Sequence, residues 1–120
     1  MKLAITAQGT ELESAVDPRF GRARHFLLVD SESGQFTVHD NVQNLNAQQG
    51  AGIQSAQAIA RLGAQALLTG NVGPKAFATL QAANIPVYTG ATGTVAQAVE
   101  AFRAGQLQRA GAANVEAHHV

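Results

Sequence analysis

Twice in its second half the chain repeats one construction: a short apolar run, a glycine-containing turn, then apolar residues at helical spacing. Ala66-Leu67-Leu68-Thr69 passes through Gly70-Asn71-Val72-Gly73 into Pro74 and Ala76-Phe77-Ala78-Thr79-Leu80. Ile85-Pro86-Val87-Tyr88 passes through Gly90-Ala91-Thr92-Gly93 into Val95, Ala98, Val99 and Phe102. Pro74 suits a first helical position, Thr94 suits a helix cap, and Gly105 stops the second helix. Strand-turn-helix units in succession return through right-handed crossovers, so their strands lie parallel in one sheet. That confines the chain to an α/β architecture.

The first half supplies three further strands and a helix. Leu3-Ala4-Ile5-Thr6 is a buried strand ended by Gln8-Gly9, and two apolar runs, His25 to Asp30 and Gln35 to His39, flank Ser31-Glu32-Ser33-Gly34 as an antiparallel hairpin. After a stretch rich in Asn and Gln, Ile53, Ala56, Ile59, Ala60 and Leu62 recur at helical spacing up to Gly63. The order β-β-β-α-β-α-β-α predicts a five-stranded mixed sheet, 3-2-1-4-5, with strand 2 antiparallel, and is similar to that of ribonuclease H-like three-layer folds. A chain of 120 residues accommodates one domain. Residues 1–107 are expected to form it, and residues 108–120, poor in large apolar side chains, to form a flexible tail.

Composition removes several chemistries. With no Cys there is no disulfide framework, thiol nucleophile or thiolate ligand for a metal cluster. Eight basic residues balance eight acidic ones, so the net charge gives no reason to expect nucleic acid or a membrane as partner. The N-terminus runs straight into a strand without a secretory leader, and no apolar run approaches the roughly 20 residues of a membrane span. A cytoplasmic monomer is expected.

In the predicted sheet, the C-terminal ends of strands 1, 3, 4 and 5 face one edge, where open α/β folds bind ligands. The long loop after strand 1 carries Arg19, Arg22 and Arg24; the turns after the others enter helix N-termini, whose unpaired N–H groups and dipole favour anions. No Asp or Glu lies between Asp40 and Glu100, so the balanced total charge conceals a locally positive edge. Lys75, at the start of a helix, opposes the dipole unless an anion is near. The candidate anion-binding residues are Arg19, Phe20, Gly21, Arg22, Gly50, Ala51, Gly52, Asn71, Val72, Gly73, Lys75, Thr92, Gly93 and Thr94. Phe20 is expected to pin the loop and to form a dry wall.

Plainer readings stand beside these. Each glycine cluster taken singly is what any α/β turn requires, and each arginine is accounted for by pairing with Glu11, Glu13 or Asp17 at the surface. His25 and His39, at matching ends of the hairpin, could meet around a metal, but two imidazoles without a third ligand read more simply as strand histidines. His118 and His119 suggest no specific site. No enzyme is expected. The turn at Gly70 is too short for a phosphate-binding G-x-x-x-x-G-K-[ST] loop, no G-x-G-x-x-G follows a strand, strands 1 and 4 lack the carboxylates of two-metal hydrolysis, and no serine triad is identifiable.

Phe20-Gly21-Arg22-Ala23, following Asp17-Pro18-Arg19, and Thr69-Gly70-Asn71-Val72-Gly73-Pro74 carry a specific likeness. With Met1-Lys2-Leu3-Ala4-Ile5 and Ile85-Pro86-Val87-Tyr88, they make the chain resemble the dinitrogenase iron-molybdenum cofactor biosynthesis family over nearly its whole length. Among small stand-alone members, the resemblance implies a non-covalently held molybdenum-copper sulfide cluster and a role near cell-division ATPases of the deviant-Walker type. A preassembled sulfide cluster brings its own sulfur ligands, so a protein without Cys suffices. Many relatives have three consecutive glycines where this chain has Gly50-Ala51-Gly52, and a Cys or His near Gln48 and Gln49. Carriage of an anionic metal-sulfide cluster is therefore the first reading. A metal-free module docking an ATPase is the second, and a phosphate-ester-binding enzyme the third.

Overall fold

The N-terminal apolar run forms β1 (Lys2–Ala7) at the centre of the sheet, buried from Leu3 onward. Its alternating side chains feed two cores: Ala4 one, Leu3, Ile5 and Ala7 the other. Burial on both faces explains why the run is continuously apolar rather than alternating with polar residues. The computed structural model describes residues 1–41 and 50–115; Gln48, Gln49, His118 and His119 lie outside them.

The hairpin forms as expected, β2 (His25–Asp30) against β3 (Phe36–Asp40), with β2 antiparallel to β1. The helix that follows, α1 (Ala51–Arg61), leads to β4 (Ala66–Leu68), which lies parallel to β1. α2 (Pro74–Ala82), with Pro in its first turn, then leads to β5 (Val87–Thr89), parallel to β4, and Thr94 caps α3 (Val95–Arg103). Ala56 and Ile59 of α1 and Ala76 and Leu80 of α2 pack on one face with Ala4, Phe26, Leu67 and Val87. Val95, Ala98 and Val99 of α3 cover the other face, on Ile5, Leu27 and Leu68.

Among the described residues the sheet has six strands, in the order β3-β2-β1-β4-β5-β6, rather than the expected five. The additional strand, β6 (Gln108–Arg109), pairs antiparallel with β5 through Thr89↔Gln108 and Tyr88↔Arg109. Two exposed polar residues carry no periodic signal, so the sequence alone does not separate this strand from the tail expected after Leu107. None of the described helices is long and apolar enough to cross a membrane.

Candidate functional site

The loop after β1 is held at both ends by the turns it crosses. Gln8 N–H donates to Ala15 O, Asp17 N–H to Thr6 O and Val16 N–H to Gly93 O. Further on, Asn71 N–H donates to Pro18 O at 2.7 Å and Phe20 N–H to Asn71 O at 3.2 Å, a parallel bridge between Arg19 and Asn71. Asp17, buried, accepts Arg19 N–H on Oδ1 at 3.0 Å and shapes the approach to the arginines. The turns after β1, β4 and β5 are thus tied together at one sheet edge.

Gly70 makes this closure possible. A Cβ built on it would stand 2.7 Å from Pro18 Cα and 2.8 Å from Pro18 O, so only a residue without one lets the two backbones touch. A single 3-10 turn, Phe20–Arg22, follows and sets Gly21 against the first turn of α1; a Cβ there would meet Gly52 N at 3.1 Å. Gly52 in turn faces α2, its hypothetical Cβ lying 3.0 Å from Ala76 Cβ. Ala51 and Gly52 open α1, Lys75 and Ala76 lie in the first turn of α2, and so the two helix N-termini stand side by side with the 3-10 turn beside them.

The first intrahelical bonds are Gln54 N–H to Gly50 O in α1 and Phe77 N–H to Gly73 O in α2. The N–H groups of residues 51–53 and of Lys75 and Ala76 precede them and have no helical partner. Neither first turn contains an acidic residue. Arg19, Arg22 and Lys75 are all exposed here. Among the described residues neither Arg19 nor Arg24 forms an ion pair, so pairing with Glu11, Glu13 or Asp17 does not account for them.

Other candidates occupy different positions. Phe20 pins the loop as expected: it is fully buried, stacked on Phe26 with ring centroids 5.8 Å apart, and lies as a floor beneath the loop. Val72 is likewise buried in that core. Thr92, Gly93 and Thr94 share the edge but lead to α3 on the far face. There the donors are taken: Val95 N–H by Ser14 O, Ala96 N–H by Leu12 O and Gln97 N–H by Thr94 Oγ1, while Gln97 Oε1 accepts Thr94 N–H. The early loop and a capping box close that helix end.

His25 and His39 do not meet. His25 is in register with Asp40 and His39 with Phe26, and adjacent strand positions project to opposite faces. His39 instead hydrogen-bonds Thr37 Oγ1 at 2.7 Å, and no group of three metal-ligating side chains occurs among the described residues.

Several polar residues that the sequence did not single out hold the site. Buried Asn41 donates from Nδ2 to Ala23 O at 2.7 Å and accepts from Ser55 Oγ on Oδ1, tying the exit of the 3-10 turn to α1. Asn114, beyond β6, accepts Val72 N–H on Oδ1 at 2.7 Å. No local feature of the sequence marks either role.

The family model for the dinitrogenase iron-molybdenum cofactor matches residues 1–105. The chain belongs to this family. Among solved structures it is similar to the apo form of the orange protein from Desulfovibrio gigas, with 46% identity, a TM-score of 0.93, and 95% of this chain and 96% of that one covered. It is also similar to a NifB-like protein of the DUF35 family from Thermotoga, with 38% identity, a TM-score of 0.79, and 90% and 91% covered. An uncharacterised protein of Methanocaldococcus jannaschii is 31% identical over 111 residues, 91% of each chain. The matched residues include both motifs that carry the resemblance.

Proposed function

We propose that this protein binds and carries an anionic molybdenum-copper sulfide cluster, without turnover, in the cradle between the N-termini of α1 and α2 and the turn that bears Arg19 and Arg22. The observation that carries the reading is the pairing of two helix N-termini through Gly52 and Ala76, with Arg19, Arg22 and Lys75 around them and no carboxylate in either first turn. Backbone N–H groups and guanidinium groups donate to sulfide without replacing it, so a cysteine-free site suits a cluster that arrives with its own sulfur ligands. Gly50, Ala51, Gly52, Gly73 and Lys75 line the helix starts, and Gly21 allows the close approach. Phe20 and Val72 keep the floor apolar, and the turn of Thr92, Gly93 and Thr94 anchors the crossing loop through its backbone, as in Val16 N–H to Gly93 O. We read the sheet as a ribonuclease H-like one put to binding rather than hydrolysis, in a cytoplasmic protein.

The test is anaerobic purification from metal-replete cells with elemental analysis and a visible spectrum, then reconstitution of the apo protein with tetrathiomolybdate and copper(I). Wild type should retain coloured molybdenum and copper through gel filtration. Arg19→Glu with Arg22→Glu should lose at least about tenfold in retention, since two charge-assisted contacts become repulsive, while the fold persists. Retention equal to wild type would remove the arginines from the site. A colourless, metal-free wild type that also fails to reconstitute would overturn the reading in favour of docking to a deviant-Walker ATPase.

A further inference from the structure

The turn after β4 spends its backbone donors inside the molecule. Asn71 N–H is bound to Pro18 O and Val72 N–H to Asn114 Oδ1. What Asn71 can still present outward is its side chain, half-buried beside the Arg19 bridge.

That side chain has one defined orientation. Val72 N–H requires an acceptor and therefore faces Asn114 Oδ1; Gly70 O requires a donor and faces Asn114 Nδ2 at 3.3 Å. Two backbone groups thus fix the Asn114 carboxamide, and its N–H donors leave only an oxygen as a suitable partner on the neighbouring amide. Asn114 Nδ2 accordingly donates to Asn71 Oδ1 at 3.1 Å. The backbone of Asn114 adds its own N–H to Val72 O at 3.1 Å, so the residue grips the turn on both sides. With its oxygen held, Asn71 turns Nδ2 away from Asn114, and that nitrogen makes no hydrogen bond among the described residues.

We propose that Asn114 is a positioning residue that holds the Asn71 carboxamide with its NH2 group outward, as a neutral donor for the anion bound beside Arg19. The identity of that anion rests on the cluster reading; the orientation of Asn71 does not. The strand β6 and the bond from Ala110 N–H to Val87 O bring the chain back along β5 and deliver Asn114 to the turn. The segment after Leu107 therefore contributes to the site through a residue that need not touch the ligand.

The experiment titrates sulfate, and separately tetrathiomolybdate with copper(I), into wild type, Asn71→Ala, Asn114→Ala and the double variant, measuring affinity in all four and following the Asn71 side-chain amide signals by NMR in wild type and Asn114→Ala. In wild type the Asn71 NH2 signal should move with either anion. Asn114→Ala should weaken binding about fivefold or more, the scale of one misdirected hydrogen bond, but should have no further effect when Asn71 is already Ala. Additive losses would make Asn114 a mere tether and overturn the proposal. So would an Asn71 NH2 signal indifferent to both anions in the wild type, a result independent of how the variants fold. An Asn71 signal that responds to sulfate, with non-additive variants, in a protein that retains no cluster would support the role of Asn114 while overturning the cluster as cargo.

Discussion

The hydroxyl oxygens of Thr6 and Thr69 lie 2.9 Å apart at the ends of two parallel strands, both shut away from solvent. Thr6 Oγ1 also lies 2.7 Å from Asp17 O and must spend its single proton there, so Thr69 is the donor between the two hydroxyls. This short relay joins β1, the turn after β4 and the loop that carries the arginines. The direction of the protons makes the two residues unequal. Thr6→Val strands the buried Asp17 carbonyl and should cost about 1–3 kcal/mol, whereas Thr69→Val removes one donor from a hydroxyl that keeps its partner and should cost only about 0.5–1.5 kcal/mol. Urea denaturation with an unchanged m-value checks the ranking, and equal losses would show that the Asp17 carbonyl does not depend on the Thr6 hydroxyl.

Gly70 is the second point on which loop closure depends. Replacing it with Ala forces a methyl into the Pro18 backbone, which cannot move aside as a flexible side chain would. The expected loss is about 1–3 kcal/mol, as for an overpacked site. The bonds from Asn71 N–H to Pro18 O and from Phe20 N–H to Asn71 O should open with it, so amide exchange at Asn71 and Phe20 should accelerate more than exchange at Leu67 in β4. Unaltered exchange at both amides would mean that the loop closes without this contact.

The sequence announces the strand-turn-helix units because Gly70, Pro74, Thr94 and Gly105 punctuate them locally, and a long loop with Arg19 and Arg22 announces function by its length. It conceals whatever is settled between distant residues. Thr6 and Thr69 are 63 positions apart and Asn114 and Gly70 are 44 apart, so no window of the chain contains either relation. For the same reason α3 reads as a third anion-binding helix end: the carbonyls of Leu12 and Ser14 that occupy its first turn come from the early part of the loop after β1, far away in the sequence. That Phe20 pins the loop is legible from an apolar ring among arginines, but its partner, Phe26, is settled only by packing.

Asp30 reports on the hairpin away from the site. Its Oδ1 accepts the N–H groups of Glu32 at 2.9 Å and Ser33 at 3.3 Å. These two bonds, Glu32 first, hold its carboxyl below the usual aspartate range against a small opposing effect of burial, helped by the N-terminal amine and Lys2. A depressed pKa means that the folded turn favours the carboxylate. The contribution is complete above the ordinary aspartate pKa and disappears as pH falls through the lower, folded value. An NMR titration should place the Asp30 midpoint below that of an unstructured aspartate, and Asp30→Ala should flatten the acid limb of the stability curve. A normal midpoint would show that the two N–H bonds do not persist in solution.

The two kinds of helix start make a final, opposed pair of predictions. At α3 the chain supplies its own caps, so Thr94→Ala should cost about 1 kcal/mol of stability through the lost capping box and leave cluster retention unchanged. At α2, exposed Lys75 sits where the helix dipole favours a negative charge, so Lys75→Glu should leave stability level or raise it by about 0.3–1 kcal/mol. Retention of the reconstituted molybdenum-copper sulfide should nevertheless fall, and fall further as salt is added, because the remaining attraction is screened within about 10 Å at 0.1 M. Stability and retention therefore move independently at the two sites, which thermal melts and gel-filtered metal content measure on the same samples. If Thr94→Ala released the cluster while Lys75→Glu kept it, the cargo would belong on the α3 side of the sheet and the cradle between α1 and α2 would have to be abandoned.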